Sequence, residues 1–209
     1  MKKALIIILL AYLAMVVTPA WSSAGWLIYR KPEFKGKVID AATKEPLVGA
    51  VIVAMYYSSP IITGPAGGSP YIIHVKETLT DQNGLFRIPS YTTIIQPNSV
   101  EHITDFIIYK PGYGSFPAMA SKPYPPIQLE EFFTRSIGET GEIRIDSIKG
   151  MKVFPVAYGI VELPKLQTKE ERLRAVPGRP SSIDPEQIPL LHKAINEDRK
   201  RFGLGPIGR

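Results

Sequence analysis

Cysteine is absent from all 209 residues. Its absence excludes disulfides, thiolate catalysis, Cys-based zinc sites and anchoring through an amino-terminal lipidated Cys, so stability rests on sheet packing alone. No Gly-x-Ser-x-Gly elbow is present. Ser58, Ser59, Ser115 and Ser121 stand beside Pro, Gly or other loop formers, where turns account for them. The basic residues are spread along the chain apart from Arg199-Lys200-Arg201 near Lys193, without the aromatic interleaving of a nucleic-acid platform. Nucleic acid is therefore not an expected partner. A formal charge of +6 permits only weak attraction to anionic surfaces, while 44% hydrophobic residues suffice for a packed core.

One long apolar run exists, Ala4 to Val17, preceded by Lys2 and Lys3 and broken by Thr18-Pro19. This is the layout of a secretory signal. Ser22 and Ala24 are the small residues expected before a cut after Ala24, with Thr18 and Ala20 as a second option. The run is shorter than the roughly 20 residues of a bilayer span, which favours cleavage. The alternative is an uncleaved anchor, since apolar character resumes at Gly25 to Ile28. The expected division is a signal peptide over 1–24, a linker over 25–33, a β-sandwich over 34–163 and a helical or extended tail over 164–209.

Alternation through Phe34, Gly36 and Val38 predicts a half-buried outer strand, and the stretch Gly36 to Ala54 reads as two strands meeting at a hairpin. Val48 to Tyr57 is apolar on both faces and predicts a central strand. Gly64 to Pro70 predicts an exposed loop, with a strand over Tyr71 to Thr80 after it. Asp81-Gln82-Asn83-Gly84 is a strong turn signal leading into Leu85 to Ile88, which predicts a second hairpin. Phe106 to Lys110 is strand-like and ends at the turn Pro111 to Gly114. Phe116 to Gln128, rich in proline, should be irregular. Glu142 to Ile148 and Lys152 to Glu162 are the last strand-like runs, the second interrupted by Pro155.

After Pro164 the pattern turns helical. Thr168 with Glu171 forms a capping-box signature for a helix ending before Pro177. Ser182 or Asp184, followed by Pro185, starts a second helix in which Ile188, Leu191, Ile195 and Phe202 recur at near-helical spacing and Gly203 closes it. A sparse apolar stripe of this kind favours docking on the sandwich over a free partner-binding helix.

Three segments in order, Gly36-Lys37-Val38-Ile39-Asp40 with Pro46 to Val51, then Thr80 to Ile88, then Tyr109-Lys110-Pro111-Gly112-Tyr113, resemble the carboxypeptidase regulatory-like domain. The resemblance spans about Phe34 to Tyr113 and implies an all-β, Ig-like or transthyretin-like antiparallel β-sandwich, here with a partly helical tail. It also implies a non-catalytic module of secreted or surface proteins. His74-Val75-Lys76-Glu77 has the H-x-x-E spacing of zinc carboxypeptidases, yet a catalytic zinc takes three protein ligands and His102 is the only nearby third candidate. Residues three apart on a strand also face opposite ways, so His74 and Glu77 are poorly placed to share an ion. Asp81 to Gly84 lacks the later carboxylates of a calcium loop. The final Gly205-Pro206-Ile207-Gly208-Arg209 is unlike the tetrapeptide of a transthyretin-like hydrolase.

No catalytic, cofactor-binding or metal-binding residue is assigned. Tyrosines on strand faces and loop rims can stack on sugars or anchor proteins, which singles out Tyr71, Tyr109, Lys110 and Tyr113 as candidate partner-binding residues. The expected role is an exported, secreted or periplasmic binding or structural module contacting a protein or glycan at the cell envelope. One alternative is an accessory subunit anchored through residues 4–17, with membrane contact only if that segment is uncleaved and a basic tail helix engaging a partner. A carbohydrate-processing or metal-dependent hydrolase is the other.

Overall fold

The computed structural model describes residues 28–61, 68–95, 98–117, 128–147, 150–178 and 182–207. The expected signal segment over 1–24, Gly64 to Gly67, most of the proline-rich stretch up to Gln128 and the last two residues lie outside them. The described residues form eleven strands and three α-helices. They are β1 (Ile28–Lys31), β2 (Phe34–Asp40), β3 (Val51–Pro60), β4 (Tyr71–Leu79), β5 (Leu85–Ile88), β6 (Tyr91–Ile94), β7 (Ser99–Tyr109) and β8 (Ser115–Phe116). After these come α1 (Leu129–Thr134), β9 (Thr140–Ser147), β10 (Gly150–Ala157), β11 (Ile160–Leu163), α2 (Lys169–Ala175) and α3 (Pro189–Arg201).

Two sheets form the sandwich, one ordered β11-β2-β5 and the other β4-β3-β7-β8, beside the pairs β1-β6 and β9-β10. The all-β sandwich with a short helical carboxyl part is thus present. All pairs are antiparallel except β11 with β2, which run parallel. The central-strand reading holds for β3, between β4 and β7. Ile52, Ala54 and Tyr56 point into the main core with Phe34, Val38, Phe106, Ile108 and Phe133. Val51, Val53 and Met55 point the other way, against Ile188, Leu191, Ala194 and Ile195 of the tail. Strand alternation therefore delivers one apolar run to two layers. Each fully buried side chain of this size contributes about 1.5–3 kcal/mol.

The first expected hairpin closes only locally, through an antiparallel bridge between Ile39 and Pro46 with Leu47 N–H on the Val38 carbonyl at 2.9 Å, and neither expected hairpin pairs its two flanking strands within one sheet. β2 pairs with β5 and β11, whereas β3 pairs with β4 and β7, so Asp40 to Ala50 crosses between sheets. The Asp40 carboxylate accepts the N–H groups of Ala42 at 2.7 Å and Thr43 at 3.0 Å, and the Thr43 bond leads in holding its pKa below the usual carboxylate range. Asp81 to Gly84 likewise turns as predicted, its carboxylate accepting Asn83 N–H at 2.8 Å and Leu85 N–H at 2.9 Å. It too joins strands of different sheets, because turn chemistry dictates a reversal and not the partner of the next strand. Gly84 has φ +71°, and a Cβ there would lie 2.5 Å from the Val38 carbonyl oxygen.

β2 is the middle strand of its sheet, not an outer one. The break expected at Pro155 falls instead at Gly159, with φ +70°. Pro155 sits inside β10 opposite Glu142, which is tolerated because among the described residues β10 pairs only with β9, so its other edge calls for no donor there. Ile28–Lys31, within the expected linker, is strand β1 and buries Tyr29. The short helix α1 had no counterpart in the sequence reading, and it buries Phe132 and Phe133, the latter 4.6 Å from Phe106 between ring centroids.

The tail follows its expected pattern. Thr168 Oγ1 accepts Glu171 N–H at 3.1 Å while the Glu171 carboxylate accepts Thr168 N–H at 3.1 Å, completing the capping box of α2. Asp184 opens a 3-10 turn over Pro185–Gln187. α3 then docks on the β3–β4 face, and Gly203 follows it at φ +70°. The amino end of α3 is capped from the sheet, where the Glu77 carboxylate accepts the N–H groups of Leu190 at 2.8 Å and Leu191 at 2.9 Å.

Candidate binding site

β7 ends at Tyr109, and the turn after it closes through Tyr113 N–H to the Lys110 carbonyl at 2.9 Å, with Gly112 at φ +88°. Alternation sends Tyr109 beneath α3. There it is fully buried, and its hydroxyl donates to Asp198 at 2.7 Å. The same carboxylate oxygen accepts Gly112 N–H at 3.2 Å, so one buried acid ties the turn to the helix. Burial pushes the Tyr109 phenol far up, and the neighbouring Asp198 adds to the shift.

Lys110 emerges beside this latch, where its ammonium donates to the Val48 carbonyl. It lines a pocket of about 210 Å³ between the Gly49 and Pro111 turns and one stripe of α3, namely Leu190, Lys193, Ala194, Glu197 and Arg201. That stripe follows from helical spacing, which places residues three, four, seven and eleven apart on one face. Burial lowers the Lys110 pKa, the Arg201 charge lowers it further, and Glu197 opposes both. None of Lys110, Lys193, Glu197 and Arg201 forms an ion pair among the described residues.

The four sequence-predicted residues do not converge. Tyr71 pairs with Ser58 while Leu79 and Tyr109 pair with Val51, which separates Tyr71 from the Lys110 end by roughly 23 Å along the strands. Tyr71 is 37% exposed and lines a groove of about 230 Å³ with Tyr91, Thr93 and Ile94. Tyr109 is a core residue with no face for a partner. Tyr113 lies beside Asp40, and burial followed by the Asp40 charge raises its phenol pKa. Lys110 alone opens onto the basic pocket.

His74 and Glu77 face opposite layers. The His74 ring stacks on Tyr91 at 4.4 Å between centroids, and burial depresses its pKa, whereas Glu77 holds α3. Among the described residues no three His, Asp or Glu side chains gather as a metal site. No described helix is long and apolar enough to cross a membrane.

Two features escaped the sequence reading. Lys31, 3% exposed, pairs with Glu101 at 2.7 Å and Glu130 at 2.6 Å, and Glu130 also accepts Thr104 N–H at 2.6 Å. The Tyr29 and Tyr56 hydroxyls beside it are buried without a well-formed hydrogen bond among the described residues, and burial pushes the Tyr56 phenol up to about 12. The second feature is the β9–β10 arm. Its base is fixed by Val156 on the main core and by Tyr158 against Gly141, where a Cβ would lie 2.4 Å from the ring. Further out, Met151 is 62% exposed, and Val153 and Phe154 are about half exposed. No family model, curated protein or solved structure matches the chain.

Proposed function

We propose that this chain is a non-catalytic binding or structural module, exported to the cell envelope, that contacts a protein partner through the β9–β10 arm. The observation that carries the reading is the arm itself. Among the described residues β9 and β10 pair only with each other, so each has one backbone edge without a strand partner there, and Met151, Val153 and Phe154 are about half exposed or more on the same hairpin. Isolated two-stranded hairpins are marginally stable, and open edges with apolar side chains are templates for another chain. A partner that adds a strand and covers these side chains would relieve both costs.

Export is supported by Lys2, Lys3, the Ala4 to Val17 run and the small residues Ser22 and Ala24. Assignment to the carboxypeptidase regulatory-like domain is part of the same proposal, supported by the three ordered segments and by the sandwich that contains them. The test is capture from the native envelope fraction with the wild-type chain and a Val153→Lys/Phe154→Lys variant, with the captured chain's own amino terminus read by mass. A partner lost in the variant and a start near Gly25 support the proposal. A partner retained by a folded variant moves the contact off the arm, and an intact Met1 or Lys2 start supports the anchored accessory subunit.

A glycan reading rests on Tyr71, whose ring opens the groove shared with Tyr91 and Thr93. It predicts quenching of intrinsic fluorescence by oligosaccharides that Tyr71→Ala abolishes.

A further inference from the structure

We propose that the pocket between the Lys110 turn and α3 binds a phosphate-type oxyanion through Lys110, Lys193 and Arg201. Three cations and a single carboxylate, Glu197, line a space of about 210 Å³, and none of them forms an ion pair among the described residues. Converging unpaired charges repel one another, and an anion between them turns that repulsion into attraction. Lys110 bears part of this repulsion, because burial and then the Arg201 charge disfavour its ammonium form, with Glu197 opposing both.

The site suits a small anion. Gly49, Val51, Leu79, Pro111 and Ala194 line it beside the charged groups, and Lys193 and Arg201 are exposed at its mouth, where an anion can reach them from solvent. Gly49 has φ +68°, and the Lys110 ammonium, which donates one hydrogen bond to the Val48 carbonyl, has further N–H groups to offer an anion. The volume lies below the roughly 300 Å³ at which pockets for drug-sized ligands begin, which fits a compact charged group. Two lysine ammonium groups act as point charges and Arg201 offers a planar fork, and such a set suits the several oxygens of a phosphate. The same chemistry is presented by free phosphate and by the headgroup of an anionic phospholipid.

The test uses the full chain as isolated, in three forms: wild type, Lys193→Gln/Arg201→Gln, and Lys200→Gln as a charge control on an exposed residue outside the pocket. One arm titrates inorganic phosphate and follows backbone amide shifts of Gly49 and Lys110. The other measures co-sedimentation with phosphatidylglycerol vesicles against phosphatidylcholine vesicles. The proposal expects a saturable response in at least one arm that weakens tenfold or more in the double variant and less than twofold in Lys200→Gln. Response to phosphate alone assigns a soluble ligand, and response to anionic vesicles assigns a headgroup. Non-saturating behaviour in both arms, or an equal loss in the Lys200→Gln control, overturns the site in favour of diffuse surface charge.

Discussion

Removing the Tyr109 hydroxyl tests whether the tail is latched to the sandwich by one buried carboxylate. In Tyr109→Phe the Asp198 carboxylate, 2% exposed, loses its 2.7 Å donor and keeps only the Gly112 N–H at 3.2 Å, while its other oxygen has no partner among the described residues. A hydrogen bond to a charged group contributes about 1.5–3 kcal/mol, so a loss of about 2 kcal/mol is expected. Asp198→Ala removes both bonds and strands the buried hydroxyl, at a cost of about 3 kcal/mol. The double variant should cost less than Asp198→Ala, about 2 kcal/mol, since the stranded hydroxyl is gone too, which makes the coupling about 3 kcal/mol. Urea unfolding followed by circular dichroism measures the cycle, and Tyr109→Phe should melt about 4–8 °C lower. A coupling below about 0.5 kcal/mol would refute the latch, because contacting residues in one network couple by at least that much.

Glu77 caps α3 from across the sheet, so Glu77→Ala should cost about 1–2 kcal/mol and raise amide exchange at Leu190 and Leu191 well before the sandwich opens; unchanged exchange there would show that the cap is idle. Burial leads in raising the Asp105 pKa, with His102 opposing and Glu130 adding, so its folded value exceeds its unfolded one. Stability from this group is therefore fully present below the ordinary Asp value and is lost as pH rises through the raised value. Asp105→Asn should accordingly raise the melting temperature at pH 7, with the gain shrinking toward pH 4; a gain independent of pH would contradict the assignment. Gly84→Ala and Gly112→Ala both place Ala at positive φ, but only the first drives Cβ within 2.5 Å of a backbone oxygen, the nearest atoms at Gly112 being 3.9 Å away. The first should cost more than about 3 kcal/mol and the second about 1–2 kcal/mol, and equal melting temperatures would show that the close contact relaxes freely.

Much of the local structure was legible. β3 could be read as central because an apolar run without polar alternation needs cover on both faces, and both covers exist, the main core and α3. Thr168 and Glu171 announce their capping box because both partners lie within one turn of chain. The elements missed were those with too few residues to show a period. β1 and β6 have four residues each and α1 has six, and their existence rests on Tyr29, Phe132 and Phe133 finding distant neighbours.

The candidate site was legible in one residue only. Lys110 could be picked out as a turn residue, but the pocket needs Lys193 and Arg201, brought to it by the docking of α3. Tyr109 looked like a surface aromatic, since strand alternation does not say which layer covers a given face.

For its longer elements the sequence by itself determined where the chain is extended, where it reverses and where it is helical, because those depend on dihedral preferences and side chains a few residues apart. Only the tertiary structure decided that Asp40 to Ala50 and Asp81 to Gly84 cross between sheets, that β2 lies in the middle with a parallel neighbour, and that Lys31 meets Glu130 from 99 residues away. Such pairings are set by how two sheets and a helix can jointly bury their apolar faces. That is a property of the whole packed chain and is not written in any one segment.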